Sequence, residues 1–309
     1  MSKYVCDASF CRSQGTLLYA RKFITHFFFD INILVNRKKD IEASIDTKGH
    51  KVFRNYIGVI FYALFHPKIK WISINNIPIA SFNKNNILLL HNIFYTYSFH
   101  ELISNKSCIS VSFFFKWFYF RTVLMIFPPS AVYVQTKFMK KRLSRFCSSL
   151  IKLAPNFYND IPTTNNAQFN INLDLSYIDD YIFFLGGREP HKMVVDTLNG
   201  FLKSNLKHNY RILVVGCFTI SDFVRNERVK IMIKSNTSHI EYLKLIHNSS
   251  LCVVTSKHES LCMPLLECAS MRKKCFVASA EYSLELAKKS DVFDSHRDLV
   301  DKVEAYYNE

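Results

Sequence analysis

The chain has 309 residues, which is enough for two domains of about 150 residues each. Apolar residues make up 49% and charged residues 21%, a balance that is typical of a packed globular protein and excludes a disordered one. The net charge of +15 lies entirely in residues 1–150, which contain 21 basic and 6 acidic residues. A charge this one-sided favours a phosphorylated ligand, nucleic acid or an anionic membrane surface as partner.

In the first half of the chain, short apolar runs predict the strands of a sheet. These runs lie at residues 4–8, 31–36, 71–75, 87–92, 131–136 and 151–156. The polar stretch 159–170 contains Pro162 and has neither helix nor strand periodicity, so it predicts a linker. The predicted domains are therefore a basic N-terminal domain over residues 1–162 and a C-terminal domain over residues 163–309.

In the second half, apolar runs alternate with amphipathic segments. The predicted strands are residues 181–187, 211–216, 250–256 and 275–279, with a weaker one at 230–233, and the predicted helices are 194–204, 239–248 and 264–274. Continuous apolar strands separated by helices indicate a parallel sheet covered on both faces. We therefore predict an α/β fold of two doubly wound, Rossmann-like domains, with a ligand at the carboxyl ends of the strands, in the cleft between the domains.

The strongest chemical signal lies in residues 257–279. A predicted strand ends at Ser256, a loop carries Glu259, and Pro264 is predicted to open a helix with Glu267 in its first turn. The backbone N–H groups of residues 261–263 are suited to an anionic or hydroxyl-rich ligand. Two interpretations stay open at this point: the carboxylates bind two polyol groups, or Glu259 is solvated and Glu267 interacts with the helix dipole.

The spacing of Glu259, Pro264 and Glu267 resembles the donor-site motif of the retaining GT-B glycosyltransferases of the family 4 type, which reads roughly E-G-F-G-x-P-x-x-E-A. The resemblance implies that Glu267 binds the ribose hydroxyls of the nucleotide and that Glu259, with the adjacent loop backbone, binds the donor sugar. That backbone belongs to Ser260, Leu261, Cys262 and Met263. Gly, Phe and Gly are usual where this chain has Ser260, Leu261 and Cys262. The missing glycines restrict the conformations of the loop, so the identity of the donor sugar nucleotide stays open.

A second similarity covers LGGREPHKM, residues 185–193. It resembles the glycine–arginine–lysine element of the same family, in which basic side chains neutralise the donor diphosphate. The resemblance gives this role to Lys192, at the predicted helix start, and to Arg188, which is offset by about one residue from the usual spacing.

The first half resembles the family more loosely. Gly15 follows the first predicted strand, where the family has a glycine loop near the donor phosphates, although it could be an ordinary turn glycine. His91 ends a predicted strand at the position of a histidine close to the reacting centre, although a histidine after an apolar run is often structural. Residues 131–143 resemble an architectural strand-and-helix element.

The resemblance implies a retaining hexosyltransferase that moves a sugar from a UDP- or GDP-sugar to a glycan or lipid-linked acceptor. His91 and Glu259 would flank the anomeric centre, and bacterial lipopolysaccharide or O-antigen synthesis is the expected process. We expect no metal or other cofactor, since no D-x-D motif is evident, and no nucleic acid partner, since basic runs and recognition motifs are missing. The competing hypothesis is a non-catalytic basic protein on a degenerate transferase fold, which binds nucleic acid or an anionic membrane.

Location is predicted from three features. Nine cysteines without a C-x-x-C pair are interpreted as buried thiols of a reducing compartment, and the N-terminus lacks a signal-peptide core. Residues 112–127 contain Lys116 and Arg121 and are too short and charged to span a bilayer. They either form a core helix or lie on a membrane with their basic residues facing lipid phosphates. We expect a cytoplasmic protein, with peripheral attachment at the inner face of the cytoplasmic membrane as the second hypothesis.

Overall fold

The computed structural model describes residues 4–7, 23, 31–35, 56–105, 110–155, 180–235 and 237–309. The chain divides into two compact units, Met1–Phe157 and Tyr158–Glu309. The predicted boundary after residue 162 lies outside the described residues and stays a prediction.

The first unit contains a parallel sheet in the strand order β2-β1-β3-β4-β5-β6. Its strands are β1 (Tyr4–Asp7), β2 (Ile31–Val35), β3 (Lys70–Ser73), β4 (Ile87–Leu90), β5 (Ala131–Val134) and β6 (Leu150–Leu153). All six correspond to predicted runs. The strands β3 to β6 end earlier than predicted; in β4 and β5 this is because the polar residues His91 and Thr136 follow the strand.

The described helices of the first unit are α1 (Tyr56–Phe65), α2 (Phe99–Ser104), α3 (Val111–Ile126) and α4 (Lys137–Leu143). Phe120 and Leu124 of α3, with Met139 and Leu143 of α4, pack against β4 and β5 in one buried cluster. The predicted strand-and-helix element at residues 131–143 is thereby confirmed as β5 and α4.

The helix α3 is apolar on both its buried and its exposed side. Val111, Phe115, Phe118, Met125 and Ile126 are exposed, whereas Phe120 is fully buried. Among the described residues, no helix combines the length and the apolar character that crossing a bilayer requires.

Arg121 contacts the protein in this structure, as in the core-helix hypothesis for residues 112–127. Its guanidinium donates to the carbonyl oxygen of Tyr97 at 2.7 Å and lies over the rings of Trp117 and Phe146. The aromatic rings and the carbonyl hold it against the protein, because a half-buried cation needs partners.

The second unit contains a parallel sheet in the order β12-β11-β10-β7-β8-β9. Its strands are β7 (Ile182–Leu185), β8 (Tyr210–Val215), β9 (Val229–Lys234), β10 (Leu251–Val254), β11 (Cys275–Ala278) and β12 (Val292–Phe293). Each residue of β7, β10 and β11 is buried, as expected for strands covered on both faces. The short strand β12 is an addition to the predicted set.

The helices of the second unit are α5 (Val194–Leu202), α6 (His239–Asn248), α7 (Met263–Ser270), α8 (Glu281–Leu286) and α9 (His296–Asn308). Leu198 and Phe201 of α5 and Leu299 and Val303 of α9 share one core with the sheet. The prediction for α6 is confirmed at both ends and that for α5 at its start, whereas α7 begins one residue and ends four residues earlier than predicted.

Candidate active site

In the sheet of the second unit, the strand order changes direction between the neighbours β7 and β10. The chain proceeds from β7 to β8 and β9 on one side and from β10 to β11 and β12 on the other. Loops that leave two such strands run apart and open a crevice at their carboxyl ends, where doubly wound folds bind ligands. Most of the predicted donor-site residues follow β7 or β10.

The loops after β7 and β10 are fastened to each other. The hydroxyl of Thr255 donates to the carbonyl oxygen of Lys192, and the backbone N–H of Lys257 donates to that of His191 at 3.1 Å. Gly186 begins the first loop with φ of +147°, a conformation that L side chains rarely adopt, and a Cβ there would lie 3.0 Å from Val194. These hydrogen bonds therefore hold the two loops together as one surface.

Lys192 and Glu259 meet across these two loops. The Nζ atom of Lys192 donates a hydrogen bond to Oε1 of Glu259 in an ion pair, and both side chains are largely buried. Burial lowers the pKa of Lys192, but the Glu259 carboxylate outweighs it and raises the pKa above its ordinary value. Lys192 is thus a charged ammonium at neutral pH. It ends a 3-10 turn, Pro190–Lys192, and lies two residues before α5 begins at Val194, so its predicted position at the start of the helix is corrected by two residues.

Glu267 is almost completely buried, with 4% of its side chain exposed. Its Oε1 atom lies 2.8 Å from Nε2 of His239, the first residue of α6. The prediction that Glu267 lies in the first turn of its helix is wrong: α7 begins at Met263, one residue before Pro264, so Glu267 is in the second turn. A buried carboxylate that keeps one oxygen on a histidine is a suitable acceptor for hydroxyl groups.

The loop between Glu259 and α7 buries its apolar side chains. Leu261 and Cys262 are buried, and Cys262 is the N-cap of α7. Tyr282, also buried, donates from its hydroxyl to the carbonyl oxygen of Ser256, which holds the start of this loop. The roles of Ser260, Leu261, Cys262 and Met263 as donor-binding backbone stay predictions.

Arg188 is engaged away from the Lys192–Glu259 pair. Its guanidinium forms an ion pair with Asp222 at 2.7 Å and donates to the carbonyl oxygen of Cys217 at 3.0 Å. Both partners follow β8. In this arrangement Arg188 joins the loops after β7 and β8, and its predicted contact with a diphosphate would require it to leave Asp222.

His91, in the first unit, follows β4 and is held by Asn76. The Asn76 amide accepts from the His91 backbone N–H at 2.6 Å and lies 2.8 Å from Nε2 of the ring. Because the amide oxygen is used by the backbone, its nitrogen donates to Nε2, and the proton of the neutral ring is then on Nδ1. Burial lowers the pKa of His91 to about 4, so the ring is neutral at physiological pH.

The expectations for Gly15 and for metal independence are not tested by the described residues. Gly15 lies outside the described residues. Within the described ranges, no group of three or more His, Cys, Asp or Glu side chains is placed to hold a metal ion; metal independence stays a prediction.

Several residues that position the site were not predicted from the sequence. His239, Asp222, Tyr282 and Asn76 each hold a predicted residue or its loop. One signal was present: Ser238 and Glu241 have the spacing of a capping box, which places His239 at a helix start.

Comparison with solved structures identifies the fold. No protein-family model and no curated protein sequence matches the chain. Anabaena Alr3699/HepE, crystallised with UDP-glucose, is similar with a TM-score of 0.66 and 14% identity, over 99% of this chain and 89% of that one. WaaG, a glycosyltransferase involved in lipopolysaccharide biosynthesis, has a TM-score of 0.67 and 11% identity over 99% and 90%.

A glycosyltransferase from Rickettsia africae ESF-5 is similar with a TM-score of 0.65 and 13% identity, over 99% of this chain and 88% of that one. At such identities the similarity establishes the fold alone. The predicted fold class is confirmed: the chain has two Rossmann-like domains and the GT-B fold that these glycosyltransferases share.

Proposed function

We propose that the chain is a glycosyltransferase that uses a nucleoside-diphosphate sugar, with its donor site at the carboxyl ends of β7 and β10. The observation that carries this proposal is the placement of Lys192, Glu259 and Glu267 around the point where the strand order changes direction. A cation for the diphosphate and two carboxylates for hydroxyl groups match the chemistry of a sugar nucleotide.

The reaction in this proposal is a transfer with retention at the anomeric carbon. As the bond from that carbon to the diphosphate breaks, negative charge grows on the leaving oxygen, and the Lys192 ammonium stabilises it. The acceptor hydroxyl oxygen bonds to the same face of the carbon, and its proton passes to the leaving diphosphate. Glu259, which holds Lys192 in this structure, would exchange that contact for hydroxyls of the donor sugar. His91, as a neutral ring, would supply a hydrogen bond near the anomeric centre instead of a charge.

The proposed donor is a UDP-sugar, and the proposed acceptor is a lipopolysaccharide-type or other lipid-linked glycan. HepE was crystallised with UDP and UDP-glucose, and WaaG acts in lipopolysaccharide biosynthesis, which supports both choices by fold similarity. The excess of basic residues before position 150 favours an anionic acceptor or membrane.

A ligand screen tests the proposal. We expect UDP or GDP, and their sugar conjugates, to bind with about micromolar affinity and raise the melting temperature of the protein. Slow donor hydrolysis should accompany binding. Failure of all sugar nucleotides to bind, with duplex DNA binding that persists at moderate salt, would instead support the competing basic binding protein.

We further propose that the exposed side of α3 attaches the protein to an anionic membrane. Phe115 and Phe118 are 74% and 68% exposed on this helix. Lys116 is exposed between them, and the surrounding unit carries the whole net charge. Apolar rings inserted among acyl chains and basic residues near lipid phosphates act together in interfacial helices.

Vesicle co-sedimentation tests this attachment. The protein should sediment with vesicles that contain phosphatidylglycerol, and less as salt rises, since the charge attraction is screened within about 10 Å at 0.1 M salt. Replacing Phe115 and Phe118 by serine should reduce the bound fraction at least tenfold, because burying each ring contributes about 1.5–3 kcal/mol. Leu284→Ser, at an equally exposed apolar position of α8, is the matched control. If the bound fraction does not depend on lipid charge, or does not change when the two phenylalanines are replaced, the proposed attachment is wrong.

A further inference from the structure

The His239–Glu267 pair joins two helices that border the proposed donor site. Nε2 of His239 lies 2.8 Å from Oε1 of Glu267, and the two side chains are 44% and 4% exposed. The histidine therefore extends from solvent to a buried carboxylate. The other carboxylate oxygen, Oε2, is not part of this contact.

The chain fixes His239 in this place through the start of α6. The hydroxyl of Ser238 accepts from the backbone N–H of Glu241, and the Glu241 carboxylate accepts from the backbone N–H of Ser238 at 2.8 Å. This capping box makes His239 the first residue of the helix. Glu241 is occupied by the cap and by Lys234, so the histidine is paired with Glu267.

Charge explains the pairing. A cation at the start of a helix is disfavoured by the helix dipole, so an imidazolium there needs a nearby anion. The hydrogen bond to Glu267 raises the pKa of His239, against the opposing effect of burial. The Glu267 carboxylate also acts on Tyr242, whose pKa is raised chiefly by burial, so the phenol stays neutral in the physiological range. His239 and Glu267 thus set the local charge.

We propose that His239 is a positioning residue for the sugar nucleotide: it holds Oε1 of Glu267, presents Oε2 to the ribose hydroxyls, and neutralises the carboxylate beside an anionic diphosphate. This inference rests on the proposed function. Without the positive charge, the buried carboxylate would repel the diphosphate that the same site has to bind.

Two pH effects follow. Since the pKa of His239 is raised in the folded chain, the pair stabilises the fold fully below the unfolded value of about 6.5, and this contribution is lost as pH rises through the folded value. Affinity for a sugar nucleotide should fall over the same interval, because the imidazolium loses its proton. Uridine or guanosine, which carries no phosphate, should show a smaller change.

The experiment compares wild type with His239→Gln, which keeps a neutral hydrogen-bond donor but does not titrate. UDP-glucose and GDP-mannose are the probes, since their esterified diphosphates do not titrate in this range. At about pH 6, His239→Gln should bind the preferred probe about three- to tenfold more weakly than wild type, and the difference should shrink towards about pH 8.5 as pH rises through the raised pKa of His239. His247→Gln, at the exposed other end of α6, should follow the wild-type profile.

Three outcomes separate the inference from the function on which it rests. The inference is supported if the affinities of wild type and His239→Gln differ at low pH and become similar only at high pH. A wild-type and a His239→Gln profile of the same shape, with clear binding in both, would overturn the inference and leave the proposed function standing. Absence of binding of either probe at both pH values would overturn the two together.

Discussion

Replacing Glu267 by alanine should weaken sugar-nucleotide binding by about 30- to 150-fold. The carboxylate is almost completely buried in α7 and is proposed to accept the ribose hydroxyls. Loss of charge-assisted hydrogen bonds of this kind costs about 2–3 kcal/mol, which corresponds to that range. Isothermal titration with UDP, GDP and the corresponding nucleosides measures it. Because the nucleoside carries the ribose, its affinity should fall by a similar factor.

Two further variants make the Glu267 result specific. Glu267→Gln retains the shape of the side chain and one acceptor oxygen, so its loss of affinity should be smaller than that of Glu267→Ala. Glu227→Ala removes an exposed carboxylate that precedes β9, at the opposite end of the sheet, and should bind nucleotide as wild type does. If Glu267→Ala stays folded and binds the nucleotide with unchanged affinity, the ribose assignment is wrong.

The sheet of each unit could be predicted because its central strands, such as β5, β7 and β10, are buried on both faces. Runs such as residues 181–187 and 250–256 have no polar residue in their centres, and a buried parallel strand demands that pattern. Strand ends were less certain, since a glycine or histidine that follows a strand at the crevice belongs to the site, not to the ladder. The start of α6 has a signal of its own, because Ser238 and Glu241 form a capping box there.

Some helices were missed although the sequence carried their signals. The helix α9 has an N-cap at Ser295 with Asp298 three residues later, and Leu299, Val300 and Val303 form its apolar side. Its overall polarity hides this pattern. In α1, by contrast, nearly every residue is apolar, so periodicity cannot distinguish a helix from a strand.

The contacts within the candidate site could not be predicted from spacing. Lys192 and Glu259 are 67 residues apart, and His239 and Glu267 are 28 apart. Only the strand order, with β7 beside β10, brings the first pair together. The sequence indicated which residue types belong to the site, whereas their pairing depends on the three-dimensional neighbours. Arg188 illustrates the difference, because its partner Asp222 follows another strand.

Replacing Lys192 by alanine should lower turnover by about 100- to 1,000-fold while nucleoside affinity changes little. The ammonium acts on charge that grows as the diphosphate leaves, and removing one such stabilising group typically has an effect of this size. Affinity for the nucleoside diphosphate should fall moderately, since part of that charge is already present in the bound donor. Steady-state kinetics of transfer or donor hydrolysis, with titrations of nucleoside and nucleoside diphosphate, separate these effects.

The ion pair with Glu259 requires its own control. Lys192→Ala leaves a largely buried carboxylate without its partner, which can destabilise the fold. Lys192→Ala combined with Glu259→Gln removes that unpaired charge. Because Glu259 is itself proposed to bind the donor sugar, the reference for the double variant is Glu259→Gln alone. Turnover below that of Glu259→Gln, with a recovered melting temperature, means that the loss belongs to the reaction rather than to folding. Lys203→Ala, at the far end of α5, should behave as wild type. Equal losses of nucleoside and nucleoside-diphosphate binding in Lys192→Ala would mean that Lys192 holds the two loops together and does not act on the leaving group.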